Sequence, residues 1–112
     1  MVQSPLVTQS HREDLFFLQP EGPVDMRTVP GIRRVLLGRA KRSEIKEIRV
    51  DFSRVTALDT SGVAMFVEIW RSLAQKGGVL RLSGLSENAR RLMQMARLDE
   101  VFEISDDPGR EV

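Results

Sequence analysis

Apolar positions in this chain recur with two different periods, and the switches between them predict its elements. Within Glu44 to Asp51, Ile48 and Val50 alternate with charge, the period of a strand buried on at least one face. Asp14 to Pro20 is a short apolar run stopped by proline and predicts another strand, with Glu21 to Asp25 following as turn and strand end. Val79 to Gly84 predicts a further strand, and Val101 to Ile104 a last strand or strand-like packing segment. Between these runs the spacing becomes helical. Ile32, Val35, Leu36 and Ala40 follow Thr28-Val29-Pro30, a suitable helix start because first-turn amides lack intrahelical partners. Val63 to Ala74 is apolar on most sides near its start, so it is expected to be substantially buried, and Lys76-Gly77-Gly78 ends it. Met65 and Trp70 belong to its packing. Ser86 is expected to cap a third helix with the stripe Ala89, Leu92, Met93 and Ala96, and Arg90 and Arg91 facing away.

Strands that alternate with helices imply an α/β fold. The expectation is a single domain with a four- to five-stranded, mostly parallel (mixed) sheet, helices packed on it and right-handed crossovers. The domain is expected over residues 13–105, after a flexible N-terminal arm, 1–12, and before a flexible tail, 106–112. Within the arm, Leu6-Val7 has the composition for a short edge strand. For Leu15-Phe16-Phe17-Leu18, core burial is favoured over a dimer edge.

Length and composition remove function classes more than they add them. A chain of 112 residues holds one domain and one core without staples. Its 17 basic and 16 acidic side chains nearly cancel, so net charge calls for no polyanionic partner. Arg33, Arg34, Arg39, Lys41 and Arg42 lack interleaved aromatics and read as a solvated helix face, with positive charge suited to the helix end, and not as a nucleic-acid patch. No cysteine is present, which excludes disulfides, thiolate metal sites and a cysteine nucleophile. His11, the only histidine, falls in the arm, so a serine-histidine-acid triad lacks its base. The glycines build no phosphate-cradling loop. Asp25, Asp51, Asp59 and Glu68 have oxygen ligands for a divalent ion, but acids are common at strand ends and helix starts, so neither a metal site nor a cofactor is expected. The chain is expected not to be an enzyme. With no signal-peptide core and no apolar run of about 18 residues, it is expected in the cytoplasm without membrane insertion.

The remaining chemistry converges on Leu58-Asp59-Thr60-Ser61-Gly62, between a predicted strand and the most apolar helix. Two readings stay open from spacing alone. Asp, Thr or Ser caps the helix at Val63, satisfying amides that would otherwise be orphaned. Alternatively, a hydroxyl at a helix start is an accessible modification site, where a phosphate meets free amides and the positive dipole end.

Val50-Asp51-Phe52-Ser53-Arg54-Val55-Thr56-Ala57-Leu58-Asp59-Thr60-Ser61-Gly62-Val63, with Gly77 to Ser86 and with Arg91-Leu92-Met93 to Phe102, resembles a STAS domain. Such domains occur in bacterial anti-sigma factor antagonists, stressosome proteins, anion-transporter tails and the small cytosolic subunit of Mla-type phospholipid ABC transporters. The resemblance spans about residues 13 to 105. In antagonists, it implies, the hydroxyl residue after the turn aspartate is phosphorylated by a GHKL-type kinase that is also the anti-sigma factor. Thr60 stands there, with Ser61 as second choice. An aspartate in a Gly-x-x-Asp pattern, matched by Gly22-Pro23-Val24-Asp25, lies near the same surface in the family, so the implied partner contacts are Asp25, Asp59, Thr60, Ser61 and Gly62. Threonine in place of the serine of many antagonists also matches the transporter subunits, where this turn docks on an ABC transporter ATPase. The resemblance thus implies a regulatory binding module switched off at Thr60, or alternatively a transporter accessory subunit.

Overall fold

The computed structural model of the chain describes residues 7–105, with side chains from Glu13 onward. The strands are β1 (Val7–Arg12), β2 (Leu15–Pro20), β3 (Gly22–Val24), β4 (Glu47–Asp51), β5 (Val55–Leu58), β6 (Val79–Ser83) and β7 (Glu103–Ser105). The helices are α1 (Val29–Ala40), α2 (Thr60–Ala74) and α3 (Glu87–Met95), followed by a 3-10 turn at Leu98–Glu100. The main sheet runs β1-β2-β4-β6-β7, parallel except for the antiparallel β1-β2 pair. This is the mixed, mostly parallel α/β sheet that the alternation of periods implies.

Its register explains the core. Phe16, Ile48 and Leu80 form one rung across three strands, and Leu18, Val50, Leu82 and Ile104 form the next. Side chains two apart on a strand share a face, so these rungs stack on one side. There they join Ile32 and Leu36 of α1, Met65, Phe66, Ile69 and Leu73 of α2, and Met93 of α3 in one buried cluster. Phe52 and Phe66 meet at 5.3 Å between ring centres. Met65 is buried and Trp70 packs partly buried against the same cluster, as expected. The other sheet face carries Phe17, Arg49, Arg81 and Glu103 in register. On it Glu47 accepts from Arg49 at 2.7 Å and Arg81 at 2.9 Å. Burial pushes the Glu47 carboxyl up, but the two guanidinium bonds outweigh it and hold the group below its ordinary value.

Several expectations are revised. Val7–Arg12 forms β1, an edge strand paired with β2 from Val7↔Pro20 to Arg12↔Leu15; it includes Val7, a candidate for such a strand, but runs on through His11, so the sheet begins earlier than the expected arm allows. Pairing satisfies backbone groups that β2 would otherwise leave open, a gain that no side-chain pattern announces. Residues 1–6 and 106–112, the rest of the arm and the tail, lie outside the described residues. Leu15 to Leu18, by contrast, are all buried on an inner strand, the core burial expected of them. Val55 to Leu58 is no mere lead-in: β5 pairs in parallel with β3, with a register shift at Gly22/Pro23, to form a second, two-stranded sheet. Ala96 is the exposed residue after α3 and not part of its stripe, which ends at Met93.

Besides its buried stripe, α1 makes polar contacts with neighbouring elements. Arg33 makes a bidentate pair with Glu68 of α2, at 2.8 and 2.6 Å. Lys76 donates to the carbonyl of Ala40 at 2.6 Å and to that of Arg42, closing the C-terminal end of α1, where a cation suits exposed carbonyls.

Candidate functional site

The site forms where β3 and β5 hand over to α1 and α2. Asp59 is extended, at φ −115° and ψ −177°, and is the N-cap of α2, so the helix starts at Thr60 and not at Val63. Three more residues join the helix because Asp59, and not a hydroxyl nearer Val63, captures the first amides. Its Oδ1 accepts from the Gly62 N–H at 3.1 Å, and its carbonyl accepts from Val63 at 3.1 Å. Ser61 Oγ donates to the same Oδ1 at 2.5 Å. That hydroxyl bond, against the opposing effect of burial, holds the Asp59 carboxyl below its ordinary value, helped by the backbone amides of Gly62, Ser61 and Met26. Asp59 is therefore a fixed negative charge.

The two hydroxyls are placed differently. Thr60 occupies the first helical position, exposed, and its side chain makes no hydrogen bond among the described residues. Ser61 is half-buried and committed to Asp59. Gly62 is buried. A Cβ there would stand 2.7 Å from Leu58 Cδ1 and 2.9 Å from Val24 Cγ1, so glycine lets the first turn of α2 approach the small sheet. Its role in the fold is close packing.

The turn after β3 completes the site. Asp25 Oδ1 accepts from the amides of Arg27 at 3.0 Å and Thr28 at 3.3 Å, a local turn that leads into α1. Thr28 holds the N-cap position of α1 but does not cap it. Its buried hydroxyl turns back, donating to the Pro23 carbonyl at 2.8 Å and accepting from the Asp25 N–H at 3.0 Å. The turn touches the other helix start where the Asp59 N–H donates to the Val24 carbonyl at 3.2 Å. Asp25, Asp59, Thr60 and Ser61 are thus gathered on one surface, with Met26 76% exposed beside them. The Met26 amide was not legible as a site element, because a backbone donor leaves no mark in the sequence. A cavity of about 200 Å³ opens on the far side of β5, between Val55, Ala57 and Leu58 and the start of α3 at Ser86 and Ala89.

The profile of the STAS domain family matches residues 7–110. The chain belongs to the STAS domain family. Its match begins where β1 begins. The anti-sigma-B factor antagonist of Listeria monocytogenes is 31% identical over 91 residues, 79% of this chain and 76% of that protein. Among solved structures, the anti-sigma factor antagonist SpoIIAA in its unphosphorylated form superposes with a TM-score of 0.76 at 19% identity, covering 91% of this chain and 89% of that one. The phosphorylated form of the Bacillus protein SpoIIAA gives 0.75 at 19% identity, covering 91% and 93%. At these identities the structural likeness concerns the fold. Among the described residues no helix is long and apolar enough to cross a membrane, and no group of three or more histidines and acids could hold a metal ion.

Proposed function

We propose that this STAS domain is an anti-sigma factor antagonist that binds a GHKL-type anti-sigma kinase through the surface of Asp25, Asp59, Thr60 and Ser61. Phosphorylation of Thr60 switches it off. The observation that carries this reading is the inequality of the two hydroxyls: Thr60 is exposed and unbonded at the first position of α2, while Ser61 is tied to Asp59. The antagonist name of the Listeria relative supports the same class. The domain works as a binding module and not as an enzyme, and the cytoplasm, where a sigma factor acts, is its place.

The switch follows from charge. A phosphate on Thr60 brings about −1.5 to −2 charges beside the fixed carboxylate of Asp59. At roughly 6 Å and an effective dielectric near 20, each unit of like charge costs about 3 kcal/mol before salt screening reduces it. The amides of the first α2 turn favour the phosphate and keep the helix folded, so the modification changes the surface rather than unfolding the domain. A kinase surface fitted to a neutral hydroxyl and one carboxylate loses its complement.

The test is co-purification of the chain with the GHKL-type kinase of its own genome. Thr60→Asp should abolish the complex and Thr60→Ala should retain it. Equal binding by the two variants would remove the switch. Capture of a transporter ATPase in place of the kinase would move the same surface to the accessory-subunit role.

A further inference from the structure

The near-neutral total charge conceals a strong segregation. Six of the chain's 17 basic residues and none of its 16 acidic ones fall between Met26 and Ser43, leaving 11 basic against 16 acidic elsewhere. Most of that stretch is α1. Its solvent side carries an open groove of about 590 Å³ between two rows of side chains, Val29, Arg33, Leu37 and Lys41 on one side and Pro30, Arg34 and Gly38 on the other. Each row has the four-residue spacing of a helix ridge, and a groove between two such ridges is what a second helix packs into.

Gly38 adds an independent sign. Glycine disfavours a helix interior relative to alanine. At Gly38 the fold gives no return for it: a Cβ would meet nothing within 4 Å, and the residue has no positive φ. The glycine therefore clears space on the outside of the helix, where a partner backbone can come close. The charges flank that gap. Arg33 is held by Glu68, whose carboxylate the Lys41 charge also favours, whereas neither Arg34 nor Lys41 forms a salt bridge among the described residues. The floor is apolar, with Val29 and Leu37 partly buried against the core.

We propose that the outer groove of α1 docks an amphipathic helix of a protein partner, its apolar ridge lying over Leu37 and Gly38 and its acidic residues meeting Arg34 and Lys41. A ridged groove with a missing side chain at its middle suits a helix better than a lipid surface, which needs no gap, or a nucleic acid, which needs no apolar floor. The inference goes beyond the switch at Thr60 and does not depend on it.

The experiment titrates the isotopically labelled full chain with a designed amphipathic peptide of about 18 residues, built from leucine and glutamate, and follows backbone amide shifts. Amides of residues 29–41 should move, and a scrambled peptide of the same composition should bind at least fivefold more weakly. Arg34→Glu combined with Lys41→Glu should lower the affinity at least tenfold, as should Gly38→Phe, with Gly38→Gln as a smaller obstruction should the phenylalanine variant melt early. Thr60→Asp should leave the affinity within about twofold, which separates this surface from the switch. Equal binding of the scrambled peptide, shifts elsewhere than α1, undiminished binding by the Gly38 variants, or tighter binding to phosphatidylglycerol vesicles or a DNA duplex would each overturn the proposal.

Discussion

Ser61 Oγ lies 2.5 Å from Oδ1 of Asp59, and this bond separates two neighbouring hydroxyls that look equivalent in the sequence. It lowers the carboxyl and commits the half-buried Ser61 hydroxyl to Asp59, while Thr60 beside it remains open.

Thr60 is the expected site of modification. Incubated with ATP and a GHKL-type anti-sigma kinase of the same genome, the chain should take up one phosphate at Thr60. Ser61→Ala should still be modified, and Thr60→Ala should not. Mass spectrometry of the digested protein decides between them, and phosphate on Ser61 in the unaltered chain would reverse the assignment.

Asp59 should make stability depend on pH. Its folded-state value is depressed, so the unfolded chain binds the proton more readily, and the contribution is present above the ordinary value of 3.8 and is lost as pH falls through the folded value. Asp59→Ala removes the cap at a cost of about 1 kcal/mol near pH 7. In urea titrations the gap between Asp59→Ala and the unaltered protein should narrow steadily as the pH drops below 3.8. A gap constant from pH 7 to pH 3 would show that the carboxylate charge is not what the cap uses.

Two glycines should resist alanine for different reasons. At Gly84 the backbone is at φ +68°, and a Cβ would stand 2.5 Å from Asp51 Oδ1 and 2.9 Å from the Ser53 amide. Asp51 is itself buried and accepts from Gln19 at 2.6 Å and from the Ser53 hydroxyl at 2.9 Å, so the neighbours cannot retreat without breaking bonds. Gly84→Ala should cost more than about 2 kcal/mol. Gly62→Ala meets side-chain atoms only at its closest contacts and regains some helix propensity, so its cost should be nearer 1 kcal/mol. Chemical denaturation ranks them, and the reverse order would contradict the packing described here.

Gly38→Ala should do the opposite and stabilise the domain. With open space at the Cβ position and ordinary helical backbone, the gain is about 0.5–1 kcal/mol. A rise in the denaturation midpoint with an unchanged slope is the expected result; a fall would mean that the outer face of α1 is not free.

Arg33→Ala breaks the exposed bidentate pair with Glu68 and should lower stability only slightly, because both partners remain solvated and salt screens them. The loss should shrink further in 0.5 M salt, which thermal melting can follow.

The elements whose burial is periodic were legible in the side-chain pattern alone. Ile48 and Val50, the stripe of Ile32, Leu36 and Ala40, and the run from Met65 to Leu73 each predict the face they bury, because burial is repeated with the period of the element. Ser86 was legible as a cap for the same local reason, and its Oγ accepts from Ala89 N–H at 3.1 Å. The residue types of the turn, and their resemblance to a STAS domain, located Asp59 and Thr60. What remained was set by pairing between distant segments. Val7–Arg12 and Val55–Leu58 become strands because a neighbouring backbone needs partners, and backbone hydrogen bonding is blind to side-chain pattern. The start of α2 moved to Thr60 because Asp59 takes the Gly62 amide that a hydroxyl nearer Val63 could also have taken. Asp25 and Asp59 share one surface because β3 pairs with β5 and the Asp59 N–H donates to the Val24 carbonyl, a contact between segments more than thirty residues apart that no local spacing encodes.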